Sequence, residues 1–353
     1  MKELRVNLKE NSYDILIEKR LFQKLGQLLR GKIPSQKVTV VTDENLNSIY
    51  GRELKENLES SGYEVKIIVI EPGEKSKSLR TLERVYGELC TFKMTRSDLL
   101  VTFGGGVVGD LGGFAAATYL RGIPYIQVPT SLLSQIDSSV GGKVAIDLPY
   151  GKNLVGNFYQ PKAVFIDPEL LKTLKHRFLV DGMGEVIKTG CIKSSSLVEE
   201  LSKYHGYKEL LENIEDIIYK CCYIKKTVVE IDERDDGERM KLNFGHTIGH
   251  AIEKYFNYET YTHGAAVAIG LAEVTRKSEH MGITKKGTAK SLESLLSKYE
   301  LPYEMPEIDR GKMLQAVTLD KKNIKETLNL ILIREFGDSI IEKVKIEQIE
   351  DYI

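Results

Sequence analysis

A chain of 353 residues, 42% hydrophobic and 29% charged, has room for two domains or one large α/β domain and the make-up of an ordinary soluble protein. Its formal net charge of −1 removes any global electrostatic case for nucleic acid or an anionic membrane as partner. No apolar run approaches a spanning helix and Met1–Val6 holds no apolar signal region. Cys90, Cys191, Cys221 and Cys222 show neither disulfide-scaffold density nor Cys-x-x-Cys spacing, so reduced thiols and a cytoplasmic location are expected.

Residues 37–167 alternate short apolar runs with helical stretches. Segments 37–42, 64–70, 98–103, 125–130 and 163–167 read as strands, with amphipathic helices between them, notably 78–90 and 111–120. Alternation of this kind predicts a parallel sheet with helices on its faces, with a domain boundary near residue 168. From about Pro168 the pattern turns helical, with apolar positions at helix period in 169–174, 195–205, 209–229, 247–255, 265–281 and 286–299. A strand-like piece, 327–333, precedes a polar C-terminus. A mainly helical second domain is therefore expected.

Within the first domain, Gly104-Gly105-Gly106-Val107-Val108-Gly109-Asp110 follows a predicted strand and opens a predicted helix, the context that a Gly-x-Gly-x-x-Gly dinucleotide motif requires. Small residues there let backbone N–H groups and a helix N-terminus approach a pyrophosphate. The competing reading is a Gly-rich turn packed under a helix. That motif normally has an acid about twenty residues on to hold the adenosine ribose. Here Pro129-Thr130-Ser131 occupies that place. Asp43, at the end of the first predicted strand, is the candidate instead.

In the second domain, His246 and His250 stand four apart in a helical segment and so face one side of it. With one more nitrogen and one carboxylate from elsewhere they would make an open zinc site, although helical His pairs also serve structural roles. Cations recur beside these features. Lys143 follows Gly141-Gly142, Lys152-Asn153 follows Gly151, and Lys188 comes three after Glu185, on the same helical face. Lys225, Lys226, Arg239 and Asp320-Lys321-Lys322 come later. Each lysine alone reads as solvated surface, but several beside Gly-rich turns and metal candidates argue for an anionic substrate.

Taken together, these motifs resemble the 3-dehydroquinate synthase family over nearly the whole chain. The strongest stretches are 72–77, 104–113 with Arg121-Gly122, 128–133, 137–143, 151–156, Glu185-Val186-Ile187-Lys188, Arg239, 242–253 and His263-Gly264. The resemblance implies an N-terminal Rossmann-like α/β domain over residues 1–168 and a C-terminal all-α domain over 169–353, with NAD and a divalent metal, zinc or cobalt, as cofactors. It also implies a sugar phosphate substrate and a homodimer. It places the metal on Glu185, His246 and His263, and moves His250 from ligand to a position facing substrate and a reactive proton.

By the same resemblance, NAD positions fall on Asp43, Glu74, Lys77, Gly105, Gly106, Val107, Gly109, Asp110, Thr130, Ser131, Asp137, Lys143, Lys152, Thr173 and Leu174. Substrate positions fall on Lys143, Asn153, Lys188, Lys225, Arg239, Asn243, His250, one of Lys321 and Lys322, and Arg121, which serves across a dimer interface. The implied reaction turns 3-deoxy-D-arabino-heptulosonate 7-phosphate into 3-dehydroquinate and phosphate. It proceeds by transient oxidation, β-elimination, reduction and intramolecular aldol closure. Departures from the family pattern are Tyr159, Lys175, Asp181 and Gly184, none at a ligand position. The rival readings are another sugar phosphate cyclase and a metal-dependent polyol dehydrogenase that would release NADH.

Overall fold

The computed structural model describes residues 1–319 and 327–352. It contains two compact units, Met1–Leu174 with Lys225–Glu230, and Lys175–Ile224 with Ile231–Ile353. Among the described residues no helix is long and apolar enough to cross a membrane.

The first unit holds β1 (Lys2–Val6), β2 (Tyr13–Ile17), α1 (Leu25–Lys32), β3 (Lys37–Asp43), α2 (Glu44–Ser60), β4 (Glu64–Ile70) and α3 (Leu79–Thr91). These are followed by β5 (Leu99–Gly104), α4 (Gly106–Thr118), β6 (Tyr125–Pro129), β7 (Lys143–Leu148), β8 (Gly151–Phe158) and β9 (Ala163–Ile166). Seven strands form one sheet in the order β1-β2-β9-β6-β5-β3-β4. All its pairings are parallel except β1 on β2. Strands β5, β6 and β9 are buried at every position, as a sheet covered on both faces requires. The side chains of β5 divide by period two. Leu99, Val101 and Phe103 join Leu25, Leu29, Leu54 and Leu58 of α1 and α2, whereas Leu100 joins α3 and α4 on the other face.

The chain moves from β3 outward to β4, then returns to lay β5 on the opposite side of β3. Strand order therefore reverses between β3 and β5, the place where open α/β sheets bind ligands at strand C-ends. Asp43 ends β3 and Gly104 ends β5 there. The β1–β2 pair and the separate antiparallel β7–β8 hairpin were not anticipated from sequence periodicity.

The second unit is mainly helical. It comprises α5 (His176–Lys193), α6 (Ser195–Lys203), α7 (Tyr207–Glu212), most of α8 (Ile214–Ile231), α9 (His246–Tyr255), α10 (His263–His280), α11 (Thr288–Lys298) and α12 (Arg310–Leu319). The continuous helix expected over 209–229 breaks at Asn213, whose side-chain amide donates to the Glu209 carbonyl at 2.9 Å. The polar C-terminus supplies a second strand that periodicity did not show: β10 (Thr327–Glu335) pairs antiparallel with β11 (Asp338–Lys345), so this mainly helical unit carries a hairpin. Helix α5 has no amphipathic signature because its residues from Gly182 to Ile192 are buried on every face.

Candidate active site

Glu185 lies in the middle of α5, His246 opens α9 and His263 opens α10. One ligand atom from each lies within 4.8 Å of the others. His246 Nε2 is 3.6 Å and His263 Nε2 3.7 Å from Glu185 Oε1. That oxygen is buried with no hydrogen-bond partner, a state that costs about 1–3 kcal/mol and that a cation would relieve. The other oxygen, Oε2, accepts from Lys188 Nζ, and both side chains are almost wholly buried.

The far nitrogens of the two imidazoles are engaged. His246 Nδ1 lies 3.1 Å from the Phe244 carbonyl, and His263 Nδ1 lies 3.4 Å from Glu253 Oε2. A carbonyl only accepts, so His246 carries its proton on Nδ1 and turns the Nε2 lone pair toward Glu185. Two imidazole nitrogens and one carboxylate oxygen, with coordination left open, fit a catalytic divalent zinc or cobalt site.

Without an ion, burial and then the Lys188 charge pull His246 well below the ordinary histidine value. Burial pulls His263 down too, but the Glu253 and Glu185 carboxylates outweigh it and hold this imidazole at about 9. His250 does not join the trio. Its ring centroid is 5.3 Å from that of His246, yet its ligand atom groups with Glu253 and His263. The pairing that helical spacing suggests, His246 with His250 on one metal, is therefore replaced by a set drawn from three helices.

Those helices approach so closely because glycines stand at their contacts. A Cβ on Gly264 would run into the Asp181 backbone carbonyl of α5, and one on Gly270 into the Gly245 carbonyl before α9. A Cβ on Gly184 would sit 2.6 Å from the Gly264 carbonyl oxygen. Asp181 also accepts the Gly264 N–H at 2.5 Å, capping α10 where Thr262 provides no side-chain cap.

In the first unit the Gly-rich motif divides by function. A Cβ on Gly104 would lie 2.5 Å from Val108, one on Gly109 2.9 Å from Gln127 Oε1, and one on Gly112 2.5 Å from Thr102. These glycines seat α4 on the sheet. Gly109, expected at the nucleotide, also lets α4 pack against the sheet. At Gly105 and Gly106 a Cβ would meet nothing closer than 3.4 Å, so the protein itself does not need glycine there. They leave an open cradle at the start of α4, which has no side-chain cap, and that fits a pyrophosphate.

Around the cradle, the Thr130 N–H donates to the Gly104 carbonyl at 3.1 Å. Asp43 caps α2 through Leu46 N–H at 3.0 Å, which commits one carboxylate oxygen. Lys77 is buried, pairs with Asp110 at 2.7 Å and donates to Asn153 Oδ1. Lys152 pairs with Glu74 at 3.6 Å. Asp147 accepts the Asn153 N–H at 2.8 Å and completes this network.

The 3-dehydroquinate synthase N-terminal family matches residues 67–181, and the 3-dehydroquinate synthase C-terminal family matches residues 182–323. A 3-dehydroquinate synthase of Clostridium acetobutylicum is 54% identical over 353 residues, covering 100% of this chain and 99% of that one. The chain belongs to the 3-dehydroquinate synthase family. Its fold is also that of 2-deoxy-scyllo-inosose synthase, solved with carbaglucose-6-phosphate, NAD+ and Co2+ (TM-score 0.88, 24% identity, 100% of both chains covered). A 2-epi-5-epi-valiolone synthase of Streptomyces hygroscopicus, solved with NAD+ and Zn2+, is similar too (TM-score 0.87, 25% identity, 98% of this chain and 96% of that one).

The remaining positions implied by the 3-dehydroquinate synthase resemblance are distributed as follows. Lys225 Nζ pairs with Asp137 Oδ1 at 2.8 Å within the first unit, where Asp137 lies in a π-helical turn, Ser134–Ser138. Thr173 Oγ1 meets the Tyr50 hydroxyl at 2.9 Å, with Leu174 next in the chain. Arg121 is exposed and sits at φ 69° after Leu120 at φ 50°, a strained turn that holds it outward. Lys143 is exposed at the start of β7. Arg239 is buried in the second unit and donates to the Glu233 carbonyl at 2.6 Å, while Asn243 is exposed. Lys321 and Lys322 lie outside the described residues. Sequence reading assigned no role to Asp147, to Glu253, or to Asp181 as a cap. Only Glu253 carried a signal, seven residues after His246 and three after His250 on one helix face.

Proposed function

We propose that the chain is a 3-dehydroquinate synthase that converts 3-deoxy-D-arabino-heptulosonate 7-phosphate to 3-dehydroquinate and phosphate. It is a phosphate-eliminating lyase that uses NAD+ and a divalent ion. The observation that carries the reading is the buried, unpartnered Glu185 Oε1 facing His246 Nε2 and His263 Nε2. When bound, the ion supplies positive charge against the substrate's hydroxyls, and NAD+ at the Gly105–Gly106 cradle supplies a reversible hydride acceptor. The identity of 54% to relatives named for this activity, against 24–25% to the two other cyclases, favours the heptulosonate phosphate as substrate.

The chain's own groups then have separate tasks. The guanidinium of Arg239 is a planar fork suited to bidentate capture of the substrate carboxylate. Lys188, Lys225 and Lys143 supply cations for its anionic groups, and Asn153 and Asn243 hydrogen-bond its hydroxyls. Arg121 serves the neighbouring copy of a cytoplasmic homodimer. His250, one turn from His246, hydrogen-bonds the reacting hydroxyl and relays its proton.

The test is to incubate purified protein with the heptulosonate phosphate and follow phosphate and NADH together. Phosphate should appear in step with 3-dehydroquinate and with no net NADH. Net NADH would point to a polyol dehydrogenase instead. A His250→Asn variant should keep its zinc while kcat falls by about 10²–10⁴. Zinc loss in that variant would make His250 a ligand, and unchanged turnover would leave it as helix packing.

A further inference from the structure

Glu253 is buried on α9 and its Oε2 faces His263 Nδ1 at 3.4 Å. It is not one of the three ligands. Its burial is costly for a carboxylate, so its place calls for a reason. We infer that Glu253 is a positioning residue that decides which nitrogen of His263 faces the metal, by holding the Nδ1–H so that Nε2 points at Glu185. This rests on the assignment of Glu185, His246 and His263 as ligands, and adds to it a distinction between the two histidines.

The distinction is one of acceptor charge. His246 leans on a neutral backbone carbonyl at 3.1 Å, whereas His263 leans on an acid. A carboxylate acceptor fixes the tautomer and raises the basicity of the imidazole at its other nitrogen, making His263 the stronger donor to a divalent ion. Geometry supports the division of labour. His263 opens α10 only because Gly264 can lie against α5, so the backbone sets where the ring stands and leaves its rotation open. Glu253 approaches from α9 and closes that freedom. A competing use exists, because His250, Glu253 and His263 also offer ligand atoms within 4.8 Å of one another. An ion there would occupy His263 Nδ1 and make Glu253 a ligand instead.

The experiment uses the full chain stripped of metal and titrated with Zn2+ against a competing chelator. Three variants are compared: Glu253→Gln, which keeps an acceptor oxygen but no charge, Glu253→Leu, which keeps neither, and His246→Ala. Zinc dissociation constants should rise about tenfold for Glu253→Gln and about 100-fold for Glu253→Leu, in the range that outer partners of metal ligands carry. The visible absorption of the cobalt-loaded Glu253→Gln protein should shift. Zinc affinity in Glu253→Leu within about twofold of the parent would overturn the inference. So would equal loss in both variants, because an acceptor that sets the tautomer should lose less when its oxygen is kept than when both oxygen and charge go. Two zinc ions per parent chain, with one lost in Glu253→Gln, would overturn it by making Glu253 a ligand. Full zinc in His246→Ala would instead sink the ligand assignment beneath it.

Discussion

The Gly-rich turn of the first unit and the Glu185–His246–His263 trio of the second solve opposite problems with the same residue. At Gly105 and Gly106 glycine keeps space open, and a Cβ would touch nothing of the protein closer than 3.4 Å. At Gly184, Gly264 and Gly270 glycine lets backbones meet, and a Cβ would collide with carbonyl groups of a neighbouring segment. One region is thus a stretch of backbone left open to approach, and the other is a set of side chains that closely packed helices bring together. The contrast explains why one is local in sequence and the other spans residues 185 to 263.

The largest effect should come from the trio itself. His246→Ala removes a nitrogen aimed at Glu185 Oε1, and turnover should fall by roughly 10³ or more, the several kcal/mol that a bound ion supplies. Metal analysis of the purified variant should find no zinc, and turnover at the parent level would break the contrast at its root. Next come two matched substitutions. Gly264→Ala should destabilise the chain by about 3 kcal/mol, since the new methyl meets the Asp181 backbone, and should weaken zinc binding as α10 moves from α5. Gly106→Ala should have the reverse sign and stabilise the nucleotide-free fold by about 0.4–1 kcal/mol, through lower entropy of the unfolded chain. It should nevertheless cost about tenfold or more in NAD+ affinity, roughly 1.4 kcal/mol, by filling the cradle. Denaturant melts and calorimetry read both numbers. Two changes of the same sign would show that the glycines of the two regions do one job.

What could be read from the chain follows the same line. The strand at 64–70 and the Gly-x-Gly-x-x-Gly turn depend on short stretches, and periodicity with turn chemistry exposes them, whereas the reversal of strand order is set by tertiary pairing and was not read from the chain. Helix α5 was glimpsed only through the helical spacing of Glu185 and Lys188, and its extent escaped because a helix buried on all sides has no polar face, and Gly182, Gly184 and Gly190 look like breakers. The β7–β8 hairpin escaped because β8, exposed or half-buried at every position, shows no apolar alternation. For the metal set, helical spacing joined His246 to His250, and only the family resemblance brought in His263. No local rule contains the Gly264–Asp181 contact that sets where His263 stands.

The smallest effect tests the two helix N-termini directly. Helix α4 begins at Gly106 with no side-chain cap, which leaves its first N–H groups and positive dipole end for an anion. Helix α10 begins at His263 and is capped from a different helix, with the Asp181 carboxylate accepting the Gly264 N–H at 2.5 Å. One terminus has no side-chain cap, and the other is filled from a neighbouring helix beside His263. Asp181→Ala should cost about 1 kcal/mol, the ordinary value of a lost N-cap, and lower the melting temperature by about 2–4 °C. Asp181→Asn should recover most of it, because an amide oxygen still accepts although its charge no longer meets the helix dipole. Both variants should keep zinc bound, since Glu185, His246 and His263 remain. Unchanged stability in Asp181→Ala would mean that Thr262 takes over the cap, and that α5 and α10 are held by the glycine contact alone.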